Sequence, residues 1–450
     1  MYDLGIIGGG PAGYTAAELA TKRGLKVLLF EENELGGICL NEGCIPTKVL
    51  LHSAKLLQHV KEAEKYGITT NNSHYAIDLQ KVIDQKERIV RKLKAGVKSK
   101  LTNDFITVIS GHATIVGKTN DMISIQCGEA LYMVSNLLIA TGSREIVPPI
   151  SGLSKSTAVC SYRDLLNETR VPGSLVIIGG GAIGIEFANF YNRMGAQVTV
   201  IEMQDEILAG TDRELGAMVR AEYEKRGVQF FLKATITFID EQKVLFLHDN
   251  EEKQVIGEKI LVSVGRQPNL EGFGLENFDI QCFRKGIYVT NQMQTSEPNV
   301  YAAGDVTSFT KLAHAAYREA EVVVNTIMGI NDQMNFNSIP FCIYSDPEIA
   351  SAGMTEEALN VMWLPHRTLK LPMTYSGKYI IENDSFQGLC KIIIDEAEHI
   401  LGVHLVGNSA TEIIAAASMA IDAHMTLDEW RKTMFPHPTV SEIIKETLSL

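Results

Sequence analysis

The chain lacks any apolar run long enough to span a bilayer. It passes from Met1 directly into a core strand, Leu4 to Ile7, without an export or transit signal. The expected compartment is therefore the reducing cytoplasm, with no membrane partner. A basic surplus is missing too: 41 Lys and Arg face 54 Asp and Glu, a net charge of −13. That disfavours nonspecific nucleic-acid binding, and the acid excess reads most simply as solubility. Cysteines are few and scattered. Of seven, only Cys39 and Cys44 lie close together, and Cys127, Cys160, Cys282, Cys342 and Cys390 read as small core hydrophobes. Structural disulfides are rare in a reducing compartment, so a close pair points to catalysis or to metal binding. No second cysteine pair or His cluster lies nearby to complete a metal site, so redox chemistry is favoured over a metal site and over two unpaired core thiols.

At 450 residues the chain suggests two to four domains. It opens on a strand, the loop Gly8-x-Gly10-x-x-Gly13 and an Ala-rich helix from Tyr14 to Arg23. Gly8 permits the tight turn, Gly10 admits a pyrophosphate close to the backbone, and Gly13 lets helix and strand pack. The helix N-terminus supplies partial positive charge to the phosphates. A second strand, Val27 to Phe30, ends at Glu31, placed to accept from a ribose hydroxyl. The pattern returns at the strand Leu175 to Ile178, the loop Gly179-x-Gly181-x-x-Gly184, the strand Gln197 to Ile201 and Glu202. Two units imply two nucleotides. No arginine occupies Met203 to Glu206 to receive a 2′-phosphate, so Glu202 favours NAD over NADP.

Between the units stands Gly36-Gly37-Ile38-Cys39-Leu40-Asn41-Glu42-Gly43-Cys44-Ile45-Pro46-Thr47-Lys48. This spacing does not put two side chains on one face of a regular helix, so Gly43 is expected to loosen the turn and let the sulfurs meet. A helix from about Pro46 to Val60 would favour a thiolate at Cys44, with Lys48 one turn on. Residues 75–101 read as an amphipathic helix whose Lys81, Lys86, Glu87 and Arg88 form a solvated face. Short β segments follow from Ile106 to Tyr132, and Pro148, Pro149 and Gly152 mark a boundary. Glu186, amid apolar neighbours, needs a partner such as Lys48 if buried; a solvated helix charge is the alternative. Asp305 ends a strand and turn, where it could cap the next segment or bond a cofactor hydroxyl. Beyond Phe341 the texture is α+β without a nucleotide loop: Ile380-Ile381, Leu389 to Ile394 and Ile400 to Val406 as strands, Ala410 to Ala423 as a helix. His437 sits between Pro436 and Pro438, with Glu442 near enough to orient its imidazole as general bases require. On the residues alone, catalytic and structural roles for His437 stay open.

Taken together these residues resemble the flavin-dependent pyridine nucleotide–disulfide oxidoreductases, and within them the dihydrolipoamide dehydrogenase group. The likeness rests on Gly36-Gly37-x-Cys39-Leu40-Asn41-x-Gly43-Cys44-Ile45-Pro46-x-Lys48, Ala302-x-Gly304-Asp305 and His437-Pro438-Thr439-x-Ser441-Glu442, and runs over nearly the whole chain. It implies an α/β fold with two Rossmann-like dinucleotide-binding domains and a C-terminal α+β interface, or dimerisation, domain. The implied divisions are 1–145 for FAD, 146–270 for NAD, 271–335 completing the FAD site and 336–450 for dimerisation. By position, Cys39 is the interchange thiol and Cys44 the thiol beside the flavin. Lys48 and Glu186 form the pair near the flavin N5 edge. His437, oriented by Glu442, is the acid–base and is lent across a homodimer interface. Glu31, Ala113, Asp305 and Ala313 would contact FAD; Glu202, Gly265 and Arg266 would lie near NAD.

The implied activity is oxidation of protein-bound dihydrolipoamide with reduction of NAD. With no lipoyl domain before Met1, the lipoyl group is expected on a partner protein of a 2-oxoacid dehydrogenase, acetoin or glycine-cleavage complex. The chain departs from the group at Phe435, where a further His is usual, and at Asp346-Pro347-Glu348, where His-Pro-Glu is usual. A tail without cysteine argues against large thioredoxin reductases and mercuric reductases. Two rivals remain. One is an NAD(P)H-dependent reductase of a low-molecular-weight disulfide such as glutathione, which Glu202 opposes. The other is a non-catalytic FAD-binding redox sensor or scaffold, which the dithiol, Lys48 and His437 oppose.

Overall fold

Val27, Leu28, Leu29 and Phe30 are apolar on both faces of their strand, the pattern of a parallel strand covered from both sides. In the computed structural model, which describes residues 1–69, 77–383 and 386–450, that strand lies inside a parallel sheet. The chain divides into two compact units: 1–49 with 80–146 and 266–335, and 50–79 with 147–265 and 336–450.

In the first unit Tyr2–Ile7 is flanked in parallel by Val27–Glu31 and by Ala130–Ile139. Ile106–Ser110 extends one edge and Val300–Ala302 lies beside Ala130–Ile139, both parallel. The strands Ala113–Thr119 and Met122–Cys127 add an antiparallel extension. The helix Pro11–Lys22 begins with proline at its first position, where the missing N–H costs nothing. It buries Ala12, Ala16, Ala17 and Ala20, small residues that let it approach both the sheet and the helix Ala313–Ile327.

In the second unit Ser174–Ile178 is central to another parallel sheet, between Gln197–Ile201 and Lys259–Val262. The meander Thr235–Asp240, Lys243–His248 and Glu251–Ile256 packs nearby. The C-terminal part is a five-stranded antiparallel sheet in the order Phe341–Ile343, Ile349–Gly353, Ile400–Val406, Leu389–Ile394, Arg367–Leu371. Helices Ala410–Asp422 and Glu442–Leu448 bury Ile414, Ala417, Ile443 and Leu448 against it. Lys391 of that sheet is buried, its Nζ 2.7 Å from Asp212 and 2.8 Å from both Glu214 and Glu356. The fold class expected from the sequence is thus present: two nucleotide-type parallel sheets and a C-terminal α+β part.

Four local expectations need correction. Ile380-Ile381 is not a strand but part of the helical turn Gly377–Glu382. Ser376 caps that turn and Tyr379 anchors it, so both isoleucines face outward. Lys86 is buried rather than solvated, because it continues the stripe of Leu79 and Ile83 one turn on; burial lowers its pKa. Cys282 is exposed on the short pair Cys282–Phe283 with Gly286–Ile287, not in a core; Cys160 and Cys390 are buried, Cys127 and Cys342 half-buried. The long amphipathic helix runs Leu79–Lys100; residues 75 and 76, where it was expected to start, lie outside the described residues.

Candidate active site

Two glycines set the dithiol loop. Gly36 and Gly37 have φ of +103° and +60°. A side chain on Gly36 would overlap Leu40, and one on Gly37 would stand 2.7 Å from Gly10 Cα. The Gly36 N–H donates to the Gly9 carbonyl at 2.9 Å, so the loop is bonded onto the first nucleotide loop. Asn41 Nδ2 ties it down further, donating to Leu35 O at 3.1 Å and Gly37 O at 2.9 Å.

A short helix, Gly37–Asn41, carries Cys39, and a second helix starts at Cys44 and runs to Glu62. The break falls at Glu42 and Gly43, which sets Cys44 against Cys39, the two side chains joined by a hydrogen bond. That bond, and then burial, pushes the Cys39 thiol well above its ordinary range; the Cys44 amide and the Lys48 charge pull the other way and do not prevail.

Both nucleotide loops share one construction. A side chain on Gly13 would overlap Gly8 O, and one on Gly184 would overlap Gly179 O. Gly8 and Gly179 have φ of +106° and +105°; a side chain on Gly181 would meet nothing within 4 Å, and one on Gly10 would meet Gly37 Cα at 3.8 Å. Glu31 accepts the Gly9 N–H at 2.6 Å and the Asn33 N–H at 2.8 Å. Glu202 accepts the Gly180 N–H at 2.6 Å and the Gln204 N–H at 2.8 Å. Each acid therefore braces its own loop, besides any ribose it meets.

Asp305 lies just past the strand Val300–Ala302. Its carboxylate accepts from Ser143 Oγ at 2.5 Å, and Arg266 donates to Ser143 Oγ at 2.8 Å and Ser143 O at 2.6 Å. Arg266, expected near NAD, thus lies with the Asp305 group. Gly265 beside it has φ of +113°. Ala113 is buried at the start of its strand, and Ala313 opens a helix whose cap, Leu312, offers no side-chain acceptor.

Glu186 is buried, and its Oε1 accepts the Tyr344 N–H at 3.1 Å; the solvated alternative is excluded. His437 is 81% exposed, with Nδ1 2.8 Å from Glu442 Oε1. Glu442 Oε2 accepts the Thr439 N–H at 2.9 Å. That amide first, then His437, holds the Glu442 carboxyl below its usual range.

Three groups were missed in the sequence. Tyr14 donates to Tyr317 across 2.9 Å, within electrostatic reach of Cys39. Ser143 bridges Arg266 and Asp305, donating to the Asp305 carboxylate and accepting from Arg266. Glu319 is fully buried and its Oε2 accepts the Gly304 N–H at 2.6 Å. An acid inside the apolar stripe Ala315, Ala316, Ala320, Val323 was the available signal for Glu319. Among the described residues, no helix is long and apolar enough to cross a membrane, and no cluster of His, Cys, Asp and Glu is placed to hold a metal.

Residues 2–320 match the family described as pyridine nucleotide-disulphide oxidoreductase, and residues 339–448 match its dimerisation domain. The chain belongs to the pyridine nucleotide-disulphide oxidoreductases. Curated relatives include dihydrolipoyl dehydrogenases of Bacillus subtilis, 34% identical over 99% of this chain and 97% of that one, and of Thermus scotoductus, 37% identical over 99% and 96%. A solved structure of the HOCl-induced flavoprotein disulfide reductase RclA of Escherichia coli is 28% identical and covers all of both chains at a TM-score of 0.85. LpdA of Mycobacterium tuberculosis, 23% identical over 99% of each chain, shares the fold at a TM-score of 0.89.

As a pyridine nucleotide-disulphide oxidoreductase the chain is an enzyme that uses FAD and NAD. The residues present fit both groups: two cradles that any Cβ would fill, each braced by an acid at the strand end. Beside the first cradle, Glu319 Oε1 and Thr307 Oγ1 are buried polar atoms without a hydrogen-bond partner among the described residues.

Proposed function

We propose that the enzyme oxidises dihydrolipoamide carried on a partner protein and reduces NAD, working as a homodimer. The observation that carries this reading is the pair of touching thiols, Cys39 and Cys44, bonded onto the first nucleotide loop. The full-length likeness to dihydrolipoyl dehydrogenases supports the substrate class.

The cycle begins with Cys39 and Cys44 as a disulfide. His437 of the partner subunit takes the proton of one substrate thiol, because the thiolate is the attacking species. The substrate sulfur bonds to Cys39, the Cys39–Cys44 bond breaks, and Cys44 leaves as a thiolate. Glu442 holds the imidazole by Nδ1, leaving Nε2 to move the proton. The second substrate sulfur then displaces Cys39, releasing lipoamide and a reduced dithiol. Lys48 offsets the negative charge left on the sulfurs. Bound FAD supplies a two-electron acceptor for the dithiol and a hydride donor to NAD. Glu31, Ala113, Asp305 and Ala313 would hold FAD through the first loop's surroundings. Glu202 would select NAD by its ribose hydroxyl, with Gly265 and Arg266 at the edge of that site.

A second reading draws on the likeness to RclA, a flavoprotein disulfide reductase: NADPH-driven reduction of a low-molecular-weight disulfide. Steady-state assays in both directions separate the two. Dihydrolipoamide with NAD should turn over well, and glutathione disulfide with NADPH should barely register. The reverse ranking would establish the second reading and end the first.

A further inference from the structure

Gly304 turns with φ of +78° at the end of the strand Val300–Ala302 and directs Asp305 toward Ser143. A Cβ at Gly304 would stand 3.4 Å from Ala12 Cβ and 3.7 Å from Ala316 Cβ, so the turn is seated between the first loop's helix and the helix Ala313–Ile327. Its N–H points inward and needs an acceptor there. Glu319 supplies it at 2.6 Å from a fully buried position. The other oxygen, Oε1, has no partner among the described residues. A neutral carboxyl meets this setting better than an anion, because an anion would be buried with a single hydrogen bond.

We propose that Glu319 is a positioning residue of the FAD site, holding the Gly304–Asp305 turn in place in its protonated form. This rests on the reading of Asp305 as an FAD contact.

The surrounding charges agree. Asp305 is the charged group that faces Glu319, and it repels an anion there. Arg266 and Ser143 engage Asp305 from the other side. The first loop's helix presents Ala12, and on Glu319's own helix Arg318 is committed to Asp332 and Glu321. Burial first, then Asp305, pushes the Glu319 carboxyl up to about 7, against the pull of the Gly304 amide. Above that pH the buried anion strains the turn, and the grip on FAD weakens.

The test is the rate of FAD release from the holoenzyme on dilution, followed by flavin fluorescence at pH 6 and pH 8. The native protein should release FAD faster at pH 8. Glu319→Gln keeps a carbonyl for Gly304 and cannot ionise, so its release should be slow and nearly equal at both pH values. Glu319→Leu leaves the Gly304 N–H buried and unpaired, and release should quicken about tenfold at both. A Gln variant with the native pH dependence would overturn the proposal. So would a Leu variant that folds and holds FAD as the native protein does; if Leu fails to fold, the Gln comparison decides. Asp305→Asn is the control: no change in its release rate would refute the Asp305 reading, whatever the Glu319 variants do.

Discussion

Glu202→Gln is the sharpest perturbation of the nicotinamide site. The native carboxylate receives two backbone N–H groups, Gly180 at 2.6 Å and Gln204 at 2.8 Å, one on each oxygen. A glutamine keeps one carbonyl oxygen and turns an NH2 group toward the other N–H. One charge-assisted bond is lost outright and replaced by donor against donor. Bonds to charged groups contribute about 1.5–3 kcal/mol, and each 1.4 kcal/mol is about tenfold in an equilibrium constant. The site is partly exposed, so water recovers some of this, and the nucleotide should bind roughly 10- to 50-fold more weakly. The assay is the KM for NADH with an artificial electron acceptor, beside the FAD content of the purified protein. KM should rise by that factor, kcat at saturation should change little, and FAD content should stay full. An unchanged KM would refute the claim that Glu202 shapes its own loop. Loss of FAD would show that its effect is not confined to the second site.

Glu442→Ala frees the His437 imidazole from its 2.8 Å tether, and lipoamide turnover should fall about 10- to 100-fold with NADH oxidation by artificial acceptors retained. His437→Gln should lower lipoamide turnover by about 10²- to 10⁴-fold in the same pair of assays. Lys391→Met leaves the buried Asp212 carboxylate without its cation and should cost about 3–5 kcal/mol, read as a lowered thermal midpoint. Burial raises the Glu356 carboxyl, but bonds from Lys391 and Thr368 outweigh it and hold it at about 2, below the ordinary 4.5. Its folded pKa is depressed, so its stabilisation is full above about 4.5 and is lost as pH falls toward about 2. That acid-side loss should shrink in Lys391→Met, measured by unfolding at several pH values between those limits.

The parts of the site that local chemistry dictates were legible in the sequence. A glycine triplet between strand and helix, with an acid at the next strand end, has few other uses, and both copies fold as the expected strand, turn and helix with the acid bonded to its loop. The helix break at Gly43 followed from the failure of the cysteine spacing to fit one helical face. The contact of His437 with Glu442 spans a few residues and needs no tertiary information. The illegible parts depend on what arrives from elsewhere. Glu319 is paired with the Gly304 amide, which belongs to a distant strand end. Arg266 reads as part of the second nucleotide unit, yet its guanidinium is spent on Ser143. Ile380-Ile381 carries no period, since two apolar residues suit a strand or an exposed helical turn equally. Lys86 sits at helical spacing with apolar neighbours, but a lysine is read as solvated until burial is seen.

The central claim is that reducing equivalents enter at Cys39. It is tested most directly by anaerobic titration of Cys39→Ser with dihydrolipoamide, watching the flavin absorbance, followed by NADH. The variant should stay oxidised with dihydrolipoamide and bleach with NADH, while the native protein responds to both. A Cys39→Ser protein whose flavin is reduced by dihydrolipoamide as readily as the native one would contradict the account.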